Sequence, residues 1–209
     1  MKIEIWWDPV CPWCYLGKKN FEAAYDRFEH PDRISVTWRA FQLEPDASTE
    51  PGPTTVDVMA PYSSRESVLA RFAQIAALGE EHGLAMNITT ARPVNAFDAH
   101  RVALLAQDEG LFREFSGAVL HAYHTENRNI ADHAVLRELA ESAGLDGAKT
   151  AAVLDGSDYA DQVESDRLRA RRLGVGGVPS FVIDGQVLPS GPQSVDRLLA
   201  VLESAPAAS

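Results

Sequence analysis

Two hydrophobic periods run along this chain, and the pattern switches between them twice. Residues 2–7, rich in β-branched and aromatic side chains, read as a short buried strand that ends at Asp8-Pro9. From Pro12 to about Phe28 the period becomes helical. Leu16, Phe21, Ala24, Tyr25 and Phe28 form the stripe, Pro12 suits a first turn, and Pro31 stops the helix. Residues 34–41 alternate cleanly as a second strand. A strand, a helix and a strand in this order predict a parallel pair.

The stretch from Glu44 to Thr55 holds three prolines and a glycine and reads as a loop. About a hundred helical residues follow. Ser63-Ser64-Arg65-Glu66 reads as a capping box, with Val68, Phe72 and Ile75 as the stripe behind it and Gly83 as the stop. Residues 88–94 are irregular. Further helices are predicted over 96–109, 111–125, 132–143 and 158–173. The pattern then returns to strands. Gly174 to Pro179 is a turn, 180–183 a strand, Asp184-Gly185 a hairpin turn and 186–188 its partner. Ser194 caps a last helix that buries Val195, Leu198, Leu199 and Leu202, and the tail 205–209 is expected to fray. The fold class is therefore α/β: a four-stranded sheet, interrupted by a helical block that sits over the edge where the first strand ends.

Charge and composition narrow the function. The formal net charge of −11 disfavours nucleic acid and anionic membranes as partners, and no apolar run nears the roughly 20 residues of a membrane span. The acidic, short N-terminal stretch does not read as a signal peptide, so a cytoplasmic location is expected. There a structural disulfide is unusual.

The chemistry is concentrated in Cys11-Pro12-Trp13-Cys14, which holds the only two cysteines in 209 residues, where the first strand meets the first helix. A helix start presents unpaired N–H groups and partial positive charge. A thiolate there is stabilised, with pKa values of roughly 3.5–7.5 in known redox cysteines. Cys11 is expected to be exposed and nucleophilic, and Cys14 to resolve the mixed disulfide. A zinc site would need histidines from distant segments to complete it, and no metal is expected. Pro12 holds the turn and Trp13 offers an apolar landing surface or packs against the helical block. Three further residues are candidates for supporting roles. Asp8 is a turn-former or a proton carrier, Asn95 a helix cap, and His100 a core histidine or a thiolate partner. Arg167, Arg169, Arg171 and Arg172 read as a solvated face at a helix end.

The motif, the run Asn95 to Arg101, and Gly177-Val178-Pro179 ahead of a strand resemble the DsbA superfamily, a thioredoxin-like fold with a large inserted all-helical domain. Within it the chain is most similar to the FrnE-like branch. The resemblance implies residues 1–55 as the first part of the thioredoxin-like domain, 56–157 as the insertion, and 158–209 as the return helix and second part. It also implies a cis-proline, Pro179, facing the dithiol, with Val178 free to pair with a bound peptide. The implied activity is a thiol–disulfide oxidoreductase or isomerase without a bound cofactor. Its partners would be disulfide- or dithiol-containing proteins or small molecules, with glutathione as a candidate co-substrate and a monomeric or homodimeric state. Trp13 stands where the strongest oxidants of the superfamily carry histidine. Two alternatives accompany this reading: a glutathione-dependent transferase or isomerase of the kappa or 2-hydroxychromene-2-carboxylate type, and a non-catalytic client-binding protein.

Overall fold

The structure, a computed structural model, describes residues 1–206. The first strand, β1 (Lys2–Trp7), is followed by helix α1 (Pro12–Arg27) and strand β2 (Ser35–Ala40). Helices α2 (Thr55–Met59), α3 (Arg65–Glu81), α4 (Phe97–Asp108), α5 (Phe112–His124), α6 (His133–Ser142), α7 (Gly147–Asp155) and α8 (Ala160–Leu173) come next. The chain then forms β3 (Ser180–Ile183), β4 (Gln186–Val187) and α9 (Val195–Glu203). Among the described residues the strands form one sheet in the order β2-β1-β3-β4. β1 pairs in parallel with β2 and antiparallel with β3.

The central place of β1 explains its composition. Five of its six residues are buried, because a strand with neighbours on both sides and layers on both faces has no solvent side. Trp6 and Trp7 lie in the core, and Trp7 meets Trp38 and Phe112 edge-on at centroid distances of 6.3 and 5.3 Å. The β3–β4 hairpin turns through Asp184 and Gly185, both at positive φ (46° and 85°), the backbone that an Asp-Gly turn of this kind requires. α9 lies along α1, burying Leu198 and Leu202, and Ser194 caps it by accepting the Arg197 N–H.

Several local expectations are corrected. The segment 144–157 carries a helix, α7, that the hydrophobic pattern does not announce. It is short, starts at a glycine and is capped by Asp146. Buried Arg101 helps to hold its far end, donating to the carbonyls of Val153 and Gly156, so cationic N–H groups meet the carbonyls that the helix leaves unpaired. The proline-rich stretch also ends in a short helix, α2, capped by Thr54. In α3 the cap is Ser64, which accepts the Ser67 N–H. Glu66 is then one position short of the site a capping box requires. Ala205 is only 7% exposed and does not fray; residues 207–209 of the expected tail lie outside the described residues.

Arg169 is not part of a solvated face. Its guanidinium reaches both carboxylate oxygens of Glu4 at 2.6–2.7 Å, which, against the cost of partial burial, holds Glu4 below the usual carboxylate range. Arg39 bridges Glu4 to Asp166 at 2.9 Å on each side. Asp166, buried on α8, also accepts the Ala40 N–H at 3.0 Å, and its backbone carbonyl accepts from the Trp6 indole at 3.3 Å. The return helix is thus fastened to the β1–β2 edge through one buried carboxylate. Replacing Asp166 with alanine leaves the Ala40 amide and one arm of Arg39 without an acceptor, and is expected to cost about 3 kcal/mol in urea unfolding. An unchanged unfolding midpoint would contradict this role.

Candidate active site

The turn after β1 delivers both cysteines to one place. Cys11 is the N-cap residue of α1, with extended backbone (φ −90°, ψ 115°), and Pro12 occupies the first turn, where its missing N–H costs nothing. Both thiols are free and buried. The Cys11 thiol donates to the Val178 carbonyl at 3.5 Å, and the Asp8 backbone N–H points at Cys14 Sγ at 3.4 Å. The Val178–Pro179 peptide bond is cis. Pro179 is pressed onto α1 at Gly17, where a Cβ would stand 2.7 Å from its ring. Ser180 Oγ secures the same loop from behind, 2.6 Å from the Gly177 carbonyl.

Cys11 does not stand in the open at the helix start, as the sequence suggested. It is 3% exposed. The covering comes from the helical segments, which close over the dithiol and leave a cavity of about 340 Å³ beside it. Cys11, Pro12 and Trp13 form one wall; Leu43, Met59, Phe72 and Ile75 are among the residues opposite, with His124 and Tyr123 at one side. Access to Cys11 is through this mostly apolar chamber, whose rim includes exposed Leu43 and Val58. Trp13 both lines the chamber and packs against the two neighbouring hydrophobic clusters, so its two expected roles coincide. A larger cavity of about 460 Å³, between α1, β2 and the α4–α5 region, contains neither cysteine and no side chain of the motif.

Cys14 sits behind Cys11. Burial, reinforced by the adjacent Cys11 thiol, pushes its own thiol well above the usual range. Asp8 is fully buried. Its Oδ1 accepts the Val10 N–H at 3.1 Å and its Oδ2 the Leu43 N–H at 2.7 Å, so it does form the turn expected of it. It is also a carboxyl group beside the dithiol, and burial raises its pKa to about 7 despite those two donors.

Neither His100 nor Asn95 hydrogen-bonds to a sulfur among the described residues. His100 Nε2 lies 3.2 Å from the Phe41 carbonyl and 3.8 Å from Asp8 Oδ1, and its ring packs edge-on against Trp7; burial lowers its pKa to about 4. Its hydrogen-bond partner is thus a backbone carbonyl, with the Asp8 carboxyl next to it. Asn95 accepts the Phe97 N–H at 2.8 Å and donates to the Pro45 carbonyl at 2.8 Å, tying α4 to the loop after β2. It acts from the position before the formal N-cap, Ala96.

The sequence reading missed His124. This residue ends α5, is 1% exposed, lines the chamber with Cys11, and stacks on Tyr15 at 5.8 Å. Its one signal is position: Ser116, Leu120 and His124 follow each other at four-residue spacing on a buried helix face, where a histidine is out of place.

The model of the DSBA-like thioredoxin domain matches residues 2–203. The chain belongs to that family. A solved structure described as a probable DsbA oxidoreductase from Streptomyces coelicolor is 34% identical, superposes with a TM-score of 0.89, and covers 98% of this chain and 89% of its own. The cytosolic disulfide reductase DsbM from Pseudomonas aeruginosa shares the DSBA-like fold at 22% identity and a TM-score of 0.70, covering 98% of both chains. The uncharacterized protein YwbO of Bacillus subtilis (strain 168) is 29% identical over 189 residues, 90% of this chain and 88% of its own. In this DSBA-like chain the sheet and the cysteine-bearing helix form the base of the site, and the helices between β2 and β3 contribute the opposite wall of the chamber. No helix among the described residues is long and apolar enough to cross a membrane.

The Asp8 environment has a pH signature. An unfolded Asp carboxyl titrates near 3.8 and the folded one at about 7, so across that window the folded state holds the proton more tightly. The contribution of Asp8 to stability is then greatest below pH 4 and falls as pH rises through 7. Carbon-13 NMR of the Asp8 carboxyl should show a midpoint near 7; a midpoint near 4 would contradict the buried site.

Proposed function

We propose that this chain is a thiol–disulfide oxidoreductase of FrnE-like type, able in principle to isomerise disulfides, with Cys11 as nucleophile and Cys14 as resolving thiol. The observation that carries the reading is the placement of Cys11 Sγ. It lies at a helix start, against the carbonyl of the cis Val178–Pro179 bond, on the wall of a chamber of about 340 Å³.

The chemistry follows from that placement. The Cys11 thiolate attacks one sulfur of a substrate disulfide. A Cys11–substrate disulfide forms, the substrate S–S bond breaks, and a substrate thiolate leaves. When Cys11 ionises it no longer donates to Val178, and the freed carbonyl is available to a substrate backbone amide. Cys14, giving up its proton, then attacks Cys11 Sγ; the Cys11–substrate bond breaks, the second substrate sulfur leaves as a thiolate, and the Cys11–Cys14 disulfide closes. Cys14 is held protonated by its surroundings, so this second step needs a proton acceptor nearby. The Asp8 carboxyl, with a pKa of about 7, suits that role at neutral pH.

Pro12, Trp13 and Val178 would contact the substrate, and Pro179 would keep the loop's shape. The apolar chamber suits an apolar side chain or a small apolar disulfide. Glutathione remains a candidate co-substrate, and the cytoplasm, where a pair of this kind cycles rather than staples, is the setting we assign.

Replacing Cys11 with serine is expected to abolish reduction of a model disulfide. Replacing Cys14 with serine should leave one attack possible and accumulate a mixed disulfide, visible by mass spectrometry of the intact protein. Full turnover in Cys11→Ser, or no adduct in Cys14→Ser, would overturn the assignment.

A further inference from the structure

No step of the exchange chemistry above uses His124, yet its surroundings are unusual. It is 1% exposed, and neither ring nitrogen has a hydrogen-bond partner. Buried polar groups are nearly always paired, because leaving one unpaired costs about 1–3 kcal/mol. The ring stands beside the backbone carbonyls of Pro9 and Cys11, which favour its protonated form, but neither contact closes with hydrogen-bond geometry. Its orientation is set by apolar packing instead: Tyr15 stacks on it at 5.8 Å, and Tyr123 meets it edge-on at 4.9 Å. It borders the chamber that Cys11 also borders. A rigidly held imidazole with two unpaired nitrogens therefore lies beside the Cys11 backbone, in the wall of the chamber that a reacting disulfide would occupy.

We propose that His124 carries the proton of the first exchange step, taking it from the Cys11 thiol and giving it to the substrate sulfur that leaves. The inference rests on the oxidoreductase reading above. The balance is closed. The Cys11 S–H bond breaks and its proton passes to a His124 nitrogen. The Cys11 lone pair forms the new S–S bond, the substrate S–S bond breaks, and the departing thiolate takes the proton from the imidazolium. His124 ends neutral, as it began, and no outside acid or oxidant is consumed.

The surroundings favour this division of labour. Burial lowers the His124 pKa to about 4, so the resting ring is neutral, and an imidazolium formed there gives its proton up readily to the departing thiolate. Chamber walls such as Met59, Phe72 and Ile75 make a lone imidazolium costly, whereas a proton passed from a neighbouring thiol creates it together with its counter-charge. The other titratable or charged groups facing the ring's surroundings are Tyr15 from α1, Tyr123 from α5 itself, Arg71 from α3, Glu44 from the loop after β2, and Asp8 from the β1–α1 turn. Arg71 and Glu44 are exposed, and both tyrosines are uncharged at neutral pH. Asp8 is held by the Val10 and Leu43 amides and has its own amide on Cys14. Asp8 thus serves the second sulfur and His124 the first.

The test compares two disulfides in single-turnover reduction by the reduced protein. A dialkyl disulfide expels a basic thiolate that needs a proton; a nitroaryl disulfide expels a stable thiolate that does not. His124→Phe keeps an aromatic ring between Tyr15 and Tyr123 but removes both nitrogens. It should slow the dialkyl reaction by about 100-fold at neutral pH and the nitroaryl reaction much less, with the dialkyl rate recovering as pH rises. Equal losses on both disulfides, or no loss, would overturn the proposal while leaving the oxidoreductase reading intact. If the unaltered protein reduces neither disulfide, that reading fails and takes this one with it. Should His124→Phe not fold, nitrogen-15 NMR of the ring decides: it should hold its proton to higher pH in the reduced wild type than in Cys11→Ser. The same midpoint in both would contradict a proton passed from Cys11.

Discussion

The contact on which the rest of the site depends is the one between the start of α1 and the Pro179 loop. Gly17 leaves no room for a side chain, so the proline ring lies directly on the helix. That packing brings the Val178 carbonyl within 3.5 Å of Cys11 Sγ, although 167 positions separate the two residues in the sequence. β1 and β3 are adjacent and antiparallel, so the end of β1 and the start of β3 meet at the same sheet edge. The sheet sets the approach, the glycine makes it close, and the cysteine motif is placed where the two segments converge.

A second theme is that polar groups near the dithiol are buried but not equally satisfied. Asp8 has two backbone donors and still has its pKa raised to about 7, because taking a carboxylate out of water outweighs two amide hydrogen bonds. His100 leans on Asp8 and a backbone carbonyl. His124 has no partner at all. Unsatisfied groups of this kind are expensive, and a fold selected for stability alone would replace them with apolar side chains. Asp8 lies beside the cysteine pair and His124 in the wall of the chamber that Cys11 borders, so two titratable groups are kept at this place at a cost that apolar side chains would not carry.

Much of this was readable in the sequence, for identifiable reasons. The strands, the cysteine-bearing helix and the hairpin announced themselves because each has a local cause: a buried run, Pro12 at a first turn, Asp184-Gly185 at positive φ. The cysteine motif stood out by its spacing, whereas the expectation that Pro179 faces it came from the resemblance to the DsbA superfamily, and the structure brings the two segments together. What failed was whatever depends on distant partners. Cys11 looked exposed because helix starts usually are; the Val178–Pro179 loop, 167 positions away, and the segments lining the chamber enclose it. Arg169 looked solvated because its partner, Glu4, is on another element. His124 was invisible because a single histidine on a helix carries no mark of the cavity it will border, and α7 was missed because its only large apolar side chains, Val153 and Leu154, are adjacent and make no repeating stripe.

The central claim, that two buried thiols reversibly become one disulfide by exchange with another molecule's sulfurs, is tested most directly by equilibrating the protein in glutathione buffers of graded redox poise and weighing the intact chain after acid quench. The account predicts a single reversible two-electron transition, in which the reduced chain loses two hydrogens and both cysteines become protected from alkylation together. Thiols that stay reduced across the whole series, or an oxidised form that cannot be reduced back, would contradict it.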